Sequence, residues 1–100
     1  MALTIQQDQH YAGDDYWHWS VWLDGAAEEL DTVEQVQYIL HPTFPNPVRL
    51  ISDRSTNFRL ETSGWGIFTI HARIKHRHGD ETQLHHELVL LYPDGTPTLA

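Results

Sequence analysis

Hydrophobic and polar residues alternate along most of the chain with a period of two, the pattern typical of half-buried β-strands. In one segment, Trp17, Trp19, Val21 and Leu23 alternate with His18, Ser20, Trp22 and Asp24. In another, Phe68, Ile70, Ala72 and Ile74 alternate with Thr69, His71, Arg73 and Lys75. The pattern predicts strands over 17–24 and 67–77, and a glycine turn signal follows each of them.

Shorter segments rich in β-branched and aromatic residues predict further strands. They lie at 3–9, as an edge strand, and at 33–40, 48–51, 58–61 and 84–92. Residues 26–31 are acidic and poor in β-forming side chains, so we expect a loop or a single helical turn there. About seven or eight short strands predict an all-β fold, an antiparallel β-sandwich of immunoglobulin-like kind. A chain of 100 residues leaves no room for a second ordinary core, so we expect a single domain over 1–100.

The segments 67–77 and 84–92 predict a β-hairpin. A loop of residues 79–81 places Arg73 opposite Glu87 and would equally place Ile70 opposite Leu90. Opposite charges on the outer face and apolar pairs on the inner face favour this register over its one-residue slip.

Composition excludes several function classes. The chain has 6 Lys and Arg against 14 Asp and Glu, a net charge of −8. Binding to nucleic acid or to an anionic membrane needs clustered Lys and Arg, so we expect neither nucleic acid nor direct membrane contact. The absence of cysteine excludes disulfides and thiolate chemistry, and it fits a reducing, cytoplasmic location. No apolar run approaches the roughly 20 residues that span a bilayer.

The acidic residues are concentrated in the first half of the chain. Residues 1–50 carry eight acids and one base, whereas residues 51–100 carry six acids and five bases. The two halves therefore have net charges of −7 and −1. An acidic half steers a basic partner, such as a lysine-bearing peptide, toward the protein. It is also typical of a surface that only keeps a small domain in solution.

Two loops carry aromatic residues in unusual surroundings. In the first, 40–47, prolines surround Phe44 and exclude it from a central strand, because proline has no N–H to donate to the sheet. In the second, 63–66, Trp65 has a glycine on each side, and glycine lets another backbone or a ligand approach closely. Each ring either packs inward as a plug over the sandwich or stands as the wall of a ligand site.

At these loops the sequence resembles a known family. Four blocks carry the resemblance, at 19–25, 33–40, 41–47 and 58–68, within a region of roughly residues 15–91. A Leu-His-x-Thr-Phe-x-x-Pro block is followed about twenty residues later by Gly-Trp-Gly-x-Phe, which is a specific combination. With these blocks the chain resembles a YEATS domain, and it looks closest to the prokaryotic branch of that family.

The resemblance implies an immunoglobulin-like sandwich that binds acylated lysine, with a preference for flat acyl groups such as crotonyl. By motif position, Phe44 and Trp65 are expected to hold the acyl group between their rings. Thr43 is expected to hydrogen-bond the amide, with His41 supporting it. The ligand-binding residues that the resemblance implies are His41, Thr43, Phe44, Gly64, Trp65 and Gly66. The family more often has tyrosine at the Trp65 position, so Trp65 keeps the ring but lacks the hydroxyl.

This binding chemistry needs no catalytic step and no cofactor. Acylation removes the charge of lysine and leaves a planar amide, whose N–H and C=O cost about 1–3 kcal/mol if they are buried unpaired. The expected partner is an acylated lysine, crotonyl- or acetyl-like, in a protein or peptide. Prokaryotic members of the family are often fused to other modules, so we also expect an effector or membrane module in a longer protein. The alternative is a structural or protein-interaction domain of a signalling or defence protein, without an open acyl pocket.

Enzymatic and metal functions fit the sequence less well. It has no Gly-rich phosphate loop and no nucleophile elbow, so we expect no enzyme. His76 and His78 have the spacing that places two rings on one strand face, and the expected hairpin puts His86 diagonally across from His76. These rings could chelate Zn²⁺ or Cu²⁺. A merely polar hairpin end is the simpler interpretation, and we expect no metal site.

Overall fold

The computed structural model describes residues 3–99, which form seven strands and one short helix. The strands are β1 (Thr4–Gly13), β2 (Tyr16–Asp24), β3 (Val33–Ile39), β4 (Val48–Ile51), β5 (Leu60–Gly64), β6 (Thr69–His76) and β7 (Glu81–Glu87). The helix α1 (Ala27–Asp31) follows β2, and a 3-10 turn (Arg54–Thr56) precedes β5. Between residues 3 and 99 no helix has the length and hydropathy needed to cross a bilayer.

The strands pair in two antiparallel sheets. One sheet has the order β1-β2-β5 and the other has the order β4-β3-β6-β7. This arrangement confirms the immunoglobulin-like β-sandwich predicted from the sequence. The first strand lies at a sheet edge, as predicted, but it continues beyond the predicted end to Gly13. The acidic segment 26–31 contains the single turn of helix α1.

The core consists of the residues that alternate in the sequence. Fully buried side chains come from β2 (Trp17, Val21, Leu23), from β3 (Val36, Tyr38) and from β6 (Ile70, Ile74). Because successive strand residues point to opposite faces, most of the intervening polar residues lie outside, whereas Ser20 of β2 is buried and accepts a hydrogen bond from Arg59. Each large apolar side chain buried in this way stabilises the fold by roughly 1.5–3 kcal/mol.

Two buried aromatic side chains hydrogen-bond their polar atoms to backbone carbonyls distant in sequence. The indole N–H of Trp17 donates to the carbonyl of Leu91 at 2.7 Å. The hydroxyl of Tyr38 donates to the carbonyl of Phe58, also at 2.7 Å. Burial raises the pKa of Tyr38 far above its ordinary value, so this hydroxyl stays neutral in the folded protein.

Glutamine side chains join β1 to the segment after β7. The amide of Gln7 donates to the carbonyl of Val89 at 2.7 Å and accepts the N–H of the same residue at 2.9 Å. It therefore bonds the backbone of Val89 as a neighbouring strand would. The Nε2 atom of His86 lies 2.7 Å from the same Gln7 oxygen, which can only accept, so His86 is the donor. Burial also lowers the pKa of His86, which favours the neutral ring with its proton on Nε2.

The prediction of a strand over 58–61 was wrong about where the strand begins. Strand β5 starts at Leu60, because Asn57 and Phe58 have left-handed φ values of 57° and 60°. Extended strands do not contain that conformation. The turn places the ring of Phe58 fully inside the core and directs its carbonyl to Tyr38. Burial of this large ring offsets the strained backbone.

The predicted register of the β6–β7 hairpin was wrong by four residues. The structure pairs Arg73 with Gln83 instead of Glu87, and Ile70 with His86 instead of Leu90. The hairpin loop is 77–79 rather than 79–81, and Gly79 supplies its left-handed φ of 98°. A shift by an even number of residues keeps every side chain on its face, so the alternation alone does not distinguish the two registers.

The corrected register removes the arrangement in which three histidines approach each other. His86 no longer lies diagonally across from His76. Both ring nitrogens of His76 are engaged, at 3.0 Å from the hydroxyl of Thr32 and at 2.8 Å from that of Thr82. In the described part of the chain, no group of three His, Asp or Glu side chains is arranged to hold a metal ion. The chelate of His76, His78 and His86 therefore has no support in the geometry.

The new register predicts which acid is coupled to Arg73. Its guanidinium contacts the carboxylate of Glu81 at 3.1 Å, so a double-mutant cycle for this pair should give a coupling of about 0.2–1 kcal/mol in unfolding free energy. The same cycle between Arg73 and Glu87 should give none. A larger coupling to Glu87 would contradict the register.

The Tyr38 hydrogen bond predicts a specific loss of stability. Tyr38→Phe leaves the buried carbonyl of Phe58 without its partner, so the unfolding free energy in urea should fall by about 1–3 kcal/mol. Tyr16→Phe, which removes a half-exposed hydroxyl, serves as the control and should cost less. Equal losses in the two variants would contradict this role of Tyr38.

The raised pKa of Tyr38 also predicts that the free energy of unfolding decreases at alkaline pH. The unfolded side chain loses its proton near pH 10 while the folded one keeps it, so stability falls as the pH rises above about 10. The stability of Tyr38→Phe should fall less steeply over that range.

Candidate functional site

The loop between β3 and β4 is held in one shape by its own backbone. The N–H of Leu40 donates to the carbonyl of Pro47 at 2.7 Å and closes the neck of the loop. Inside the loop, the N–H of Phe44 donates to the carbonyl of His41 at 2.9 Å. The guanidinium of Arg49 donates to two further loop carbonyls, at 2.6 and 2.9 Å. Together with the fixed φ of the prolines, these bonds give the loop a defined conformation.

Phe44 projects from this loop onto the end of the core. Its ring centroid lies 5.3 Å from that of Phe68 and 6.2 Å from that of Trp19, which it meets nearly edge to face. Gly64 of β5 lies against the ring, because a Cβ at that position would stand only 3.3 Å from the Cζ atom of Phe44. Phe44 is therefore a half-buried wall supported by both sheets and not a ring in open solvent.

His41 and Thr43 form a hydrogen-bonded pair at the same loop. The backbone N–H of Thr43 points to Nδ1 of His41 at 3.2 Å, so in the neutral ring this nitrogen carries a lone pair and the proton is on Nε2. The hydroxyl of Thr43 lies 2.9 Å from the same nitrogen and can only donate to it, so the backbone N–H and the hydroxyl share the single lone pair of Nδ1. The hydroxyl proton is thus used by His41, and the oxygen of Thr43 is left to accept an N–H from elsewhere.

Trp65 also lines the opening beside Phe44's loop. It follows β5 directly, and its side chain is 62% exposed. Within residues 3–99 no ring–ring contact involves Trp65, so its face is not covered by another aromatic ring. The interpretation of Trp65 as an inward-packed plug is therefore wrong, whereas Phe44 both packs on the core and borders open space.

These side chains enclose a cleft of about 280 Å³. Its lining is Tyr16, His41, Thr43, Phe44, Pro45, Ser63, Gly64, Trp65, Gly66, Ile67 and Phe68. All six residues that the sequence analysis expected at the ligand site lie in this lining. None of the lining residues is Asp, Glu, Lys or Arg, so the cleft is aromatic and uncharged apart from its histidine.

Five lining residues were missed by the sequence analysis, namely Tyr16, Pro45, Ser63, Ile67 and Phe68. Three of them are chain neighbours of the expected residues and could have been added by proximity. Tyr16 could not, because it reaches the cleft only through the pairing of β2 with β5, in which Trp17 lies opposite Gly64. No local signal in the sequence specifies that pairing.

A match to a family model decides which family this cleft and fold represent. The model of the prokaryotic YEATS domain matches residues 17–89, nearly three quarters of the chain. The chain belongs to the prokaryotic YEATS domain family. The resemblance found in the two loops is thereby confirmed, and the matched region contains all six expected site residues.

Two curated proteins are similar to parts of this YEATS domain. Transcription initiation factor TFIID subunit 14 of Schizosaccharomyces pombe is 46% identical over 50 residues, which are 48% of this chain and 20% of that protein. The AF-9 homolog of Kluyveromyces lactis is 36% identical over 66 residues, 63% of this chain and 29% of that protein. The similarity thus spans less than a third of the length of either relative.

Solved YEATS structures share the fold. The Yaf9 YEATS domain recognizing an H3K122suc peptide has a TM-score of 0.65 and 25% identity, covering 96% of this chain and 72% of that one. The Yaf9 YEATS domain bound to H3K27ac has a TM-score of 0.69 and 22% identity, covering 96% and 75%. This likeness places the two-sheet sandwich among known YEATS domains.

The close contact at Gly64 predicts how the cleft responds to a methyl group. Gly64→Ala forces the ring of Phe44 to shift by a few tenths of an ångström, so the NMR signals of the Phe44 and Phe68 ring protons should move. Gly79→Ala is the control, since Gly79 has open space around it and only its φ of 98° resists a side chain. It should lower stability and leave the ring of Phe44 unmoved. Unshifted Phe44 signals in Gly64→Ala would contradict the packing.

Proposed function

We propose that this YEATS domain is a non-catalytic module that binds a planar acyl-lysine between Phe44 and Trp65. The observation that carries the proposal is the uncharged aromatic cleft, in which one ring is fixed by the core and the other is exposed. Stacking of a flat acyl group on aromatic faces contributes roughly 0.5–1.5 kcal/mol per face beyond area burial. Binding of unmodified lysine would remove water from its ammonium group. The uncharged cleft offers no charged partner that compensates this desolvation cost.

The polar groups beside the aromatic walls fit an amide. The oxygen of Thr43 has its proton directed to His41, so it is prepared to accept the amide N–H of the acylated lysine. The backbone at Trp65 and Gly66 is the expected donor to the acyl carbonyl. An amide whose N–H and C=O are both paired avoids the desolvation cost of about 1–3 kcal/mol.

The comparisons support the same class of ligand. Homologous YEATS domains bind acylated histone peptides, as the Yaf9 domains with H3K122suc and H3K27ac illustrate. For this chain the partner that we propose is an acylated protein or peptide. The charge of −7 in residues 1–50 favours a basic stretch around the modified lysine. Three expectations stay predictions from the sequence. They are a single domain over residues 1–100, a cytoplasmic location, and an effector or membrane module in a longer protein.

The second candidate is a structural or protein-interaction domain without an acyl ligand. It requires the cleft to be closed by packing of its own rings. The exposure of Trp65, at 62%, and the volume of about 280 Å³ favour the binding module over this alternative.

Calorimetry with a panel of peptides that carry crotonyl-, acetyl- and unmodified lysine tests the proposal. The protein without substitutions should bind the crotonyl-lysine peptide and should not bind the peptide with unmodified lysine. Trp65→Ala should weaken binding about tenfold or more, because it removes one stacking face. Leu50→Ala is a matched control, since Leu50 is also 62% exposed but lies on β4 away from the cleft. It should bind as the unmodified protein does.

A second variant separates the polar contact from the stacking. Thr43→Val keeps the shape of the side chain but removes the acceptor oxygen, so the affinity for crotonyl-lysine should fall while the protein stays folded. The absence of binding at millimolar peptide in a folded protein would overturn the acyl-lysine proposal. So would a Trp65→Ala variant that binds as well as Leu50→Ala.

A further inference from the structure

A pair of hydroxyl groups lines the cleft apart from the residues implied by the family motif. The hydroxyls of Tyr16 and Ser63 lie 3.1 Å apart and either can be the donor. Tyr16 belongs to β2 and Ser63 to β5, so this pair is built by the three-stranded sheet, whereas His41 and Thr43 come from a loop of the other sheet. The cleft thus has polar groups contributed by both layers.

One hydroxyl proton of this pair is left over. Each hydroxyl has one proton, and a single hydrogen bond between them uses only one of the two. No further hydrogen bond of either hydroxyl is found within residues 3–99, and Tyr16 is 39% exposed. The pair therefore presents an unused O–H donor and several acceptor lone pairs at the wall of the cleft.

The cleft has room for a ligand that reaches this wall. Its volume of about 280 Å³ is roughly nine times the ~30 Å³ that a water molecule occupies in the liquid. A small acyl amide fills only part of that space. A purely apolar acyl end that covers the hydroxyl pair displaces water from it without replacing the lost hydrogen bond.

We propose that Tyr16 and Ser63 are specificity-determining residues that select acyl groups carrying a neutral hydroxyl, such as 3-hydroxybutyryl-lysine, over the plain hydrocarbon chain. This inference rests on the proposed acyl-lysine function and extends it to the substituent of the acyl group. A ligand hydroxyl can accept the unused proton of Tyr16 or Ser63 and donate its own proton to one of their two hydroxyl oxygens. A site that hydrogen-bonds a ligand hydroxyl discriminates against the analogue that lacks it.

The surroundings favour a neutral substituent over an anionic one. No Lys or Arg lines the cleft, so His41 is the one lining side chain that can carry a positive charge toward a carboxylate, and its Nδ1 is already occupied by Thr43. The two residues that precede Tyr16, Asp14 and Asp15, are both acidic and lie in the adjacent turn. A succinyl group, whose end is a carboxylate, should therefore bind more weakly than a hydroxylated group of similar length.

Calorimetry with one peptide sequence in four forms tests the inference: butyryl-, 3-hydroxybutyryl-, succinyl- and unmodified lysine. The protein without substitutions should bind the 3-hydroxybutyryl peptide about three- to tenfold more tightly than the butyryl peptide. One net hydrogen bond changes the affinity over this range. In Tyr16→Phe and in Ser63→Ala this ratio should fall to about one. Tyr11→Phe is a matched control on the neighbouring strand, outside the cleft, and should keep the ratio.

The outcomes separate the inference from the proposed function. If the butyryl form binds and the 3-hydroxybutyryl form is no tighter, the selectivity of Tyr16 and Ser63 is overturned while the acyl-lysine function stands. A ratio that persists in both variants overturns it as well, as does a succinyl form that binds most tightly. If none of the acyl forms binds to the folded chain, the proposed function fails and the inference fails with it.

Discussion

The packing of Phe44 against Phe68, Trp19 and Gly64 is the contact on which the rest of the site depends. It anchors a loop of one sheet to residues of the other, and it does so with a ring that still borders open space. A loop aromatic without this support would collapse into the cleft or turn to solvent. Because Gly64 has no side chain, the ring of Phe44 can approach β5 closely. Both residues line the cleft.

The polar part of the site follows from the same loop. Its prolines and its closing hydrogen bond fix where His41 and Thr43 stand, and the backbone N–H of Thr43 settles the tautomer of His41. Toward His41, the hydroxyl of Thr43 then acts as a donor. A rigid backbone thus determines the direction in which a side-chain oxygen can accept a hydrogen bond, before any ligand is present.

The parts of this structure that could be predicted from the sequence are those that depend on local patterns. The period of two assigns faces to strands, so the buried positions of β2, β3 and β6 were predictable. Gly-Trp-Gly and the proline loop singled out Trp65 and Phe44 because their backbone chemistry is local, and the resemblance to YEATS domains then implied that both rings line a ligand site.

Long-range pairing was not accessible in the same way. The hairpin register failed because a shift of four residues keeps the faces unchanged. The start of β5 failed because a bulky residue such as Phe58 rarely adopts a left-handed φ, even after an asparagine that favours it. The hydroxyls of Tyr16 and Ser63 meet only because β2 pairs with β5. Each miss therefore involves either a contact distant in sequence or a strained backbone that burial of a large side chain stabilises.

The most direct test of the central claim locates the ligand between the two rings. In NMR spectra of the chain with a peptide that carries crotonyl-lysine, the crotonyl protons should show intermolecular NOEs to the rings of both Phe44 and Trp65. The amide proton should lie close to Thr43. NOEs confined to residues outside the cleft, such as Val48 and Leu50 on the outer face of β4, would contradict the account.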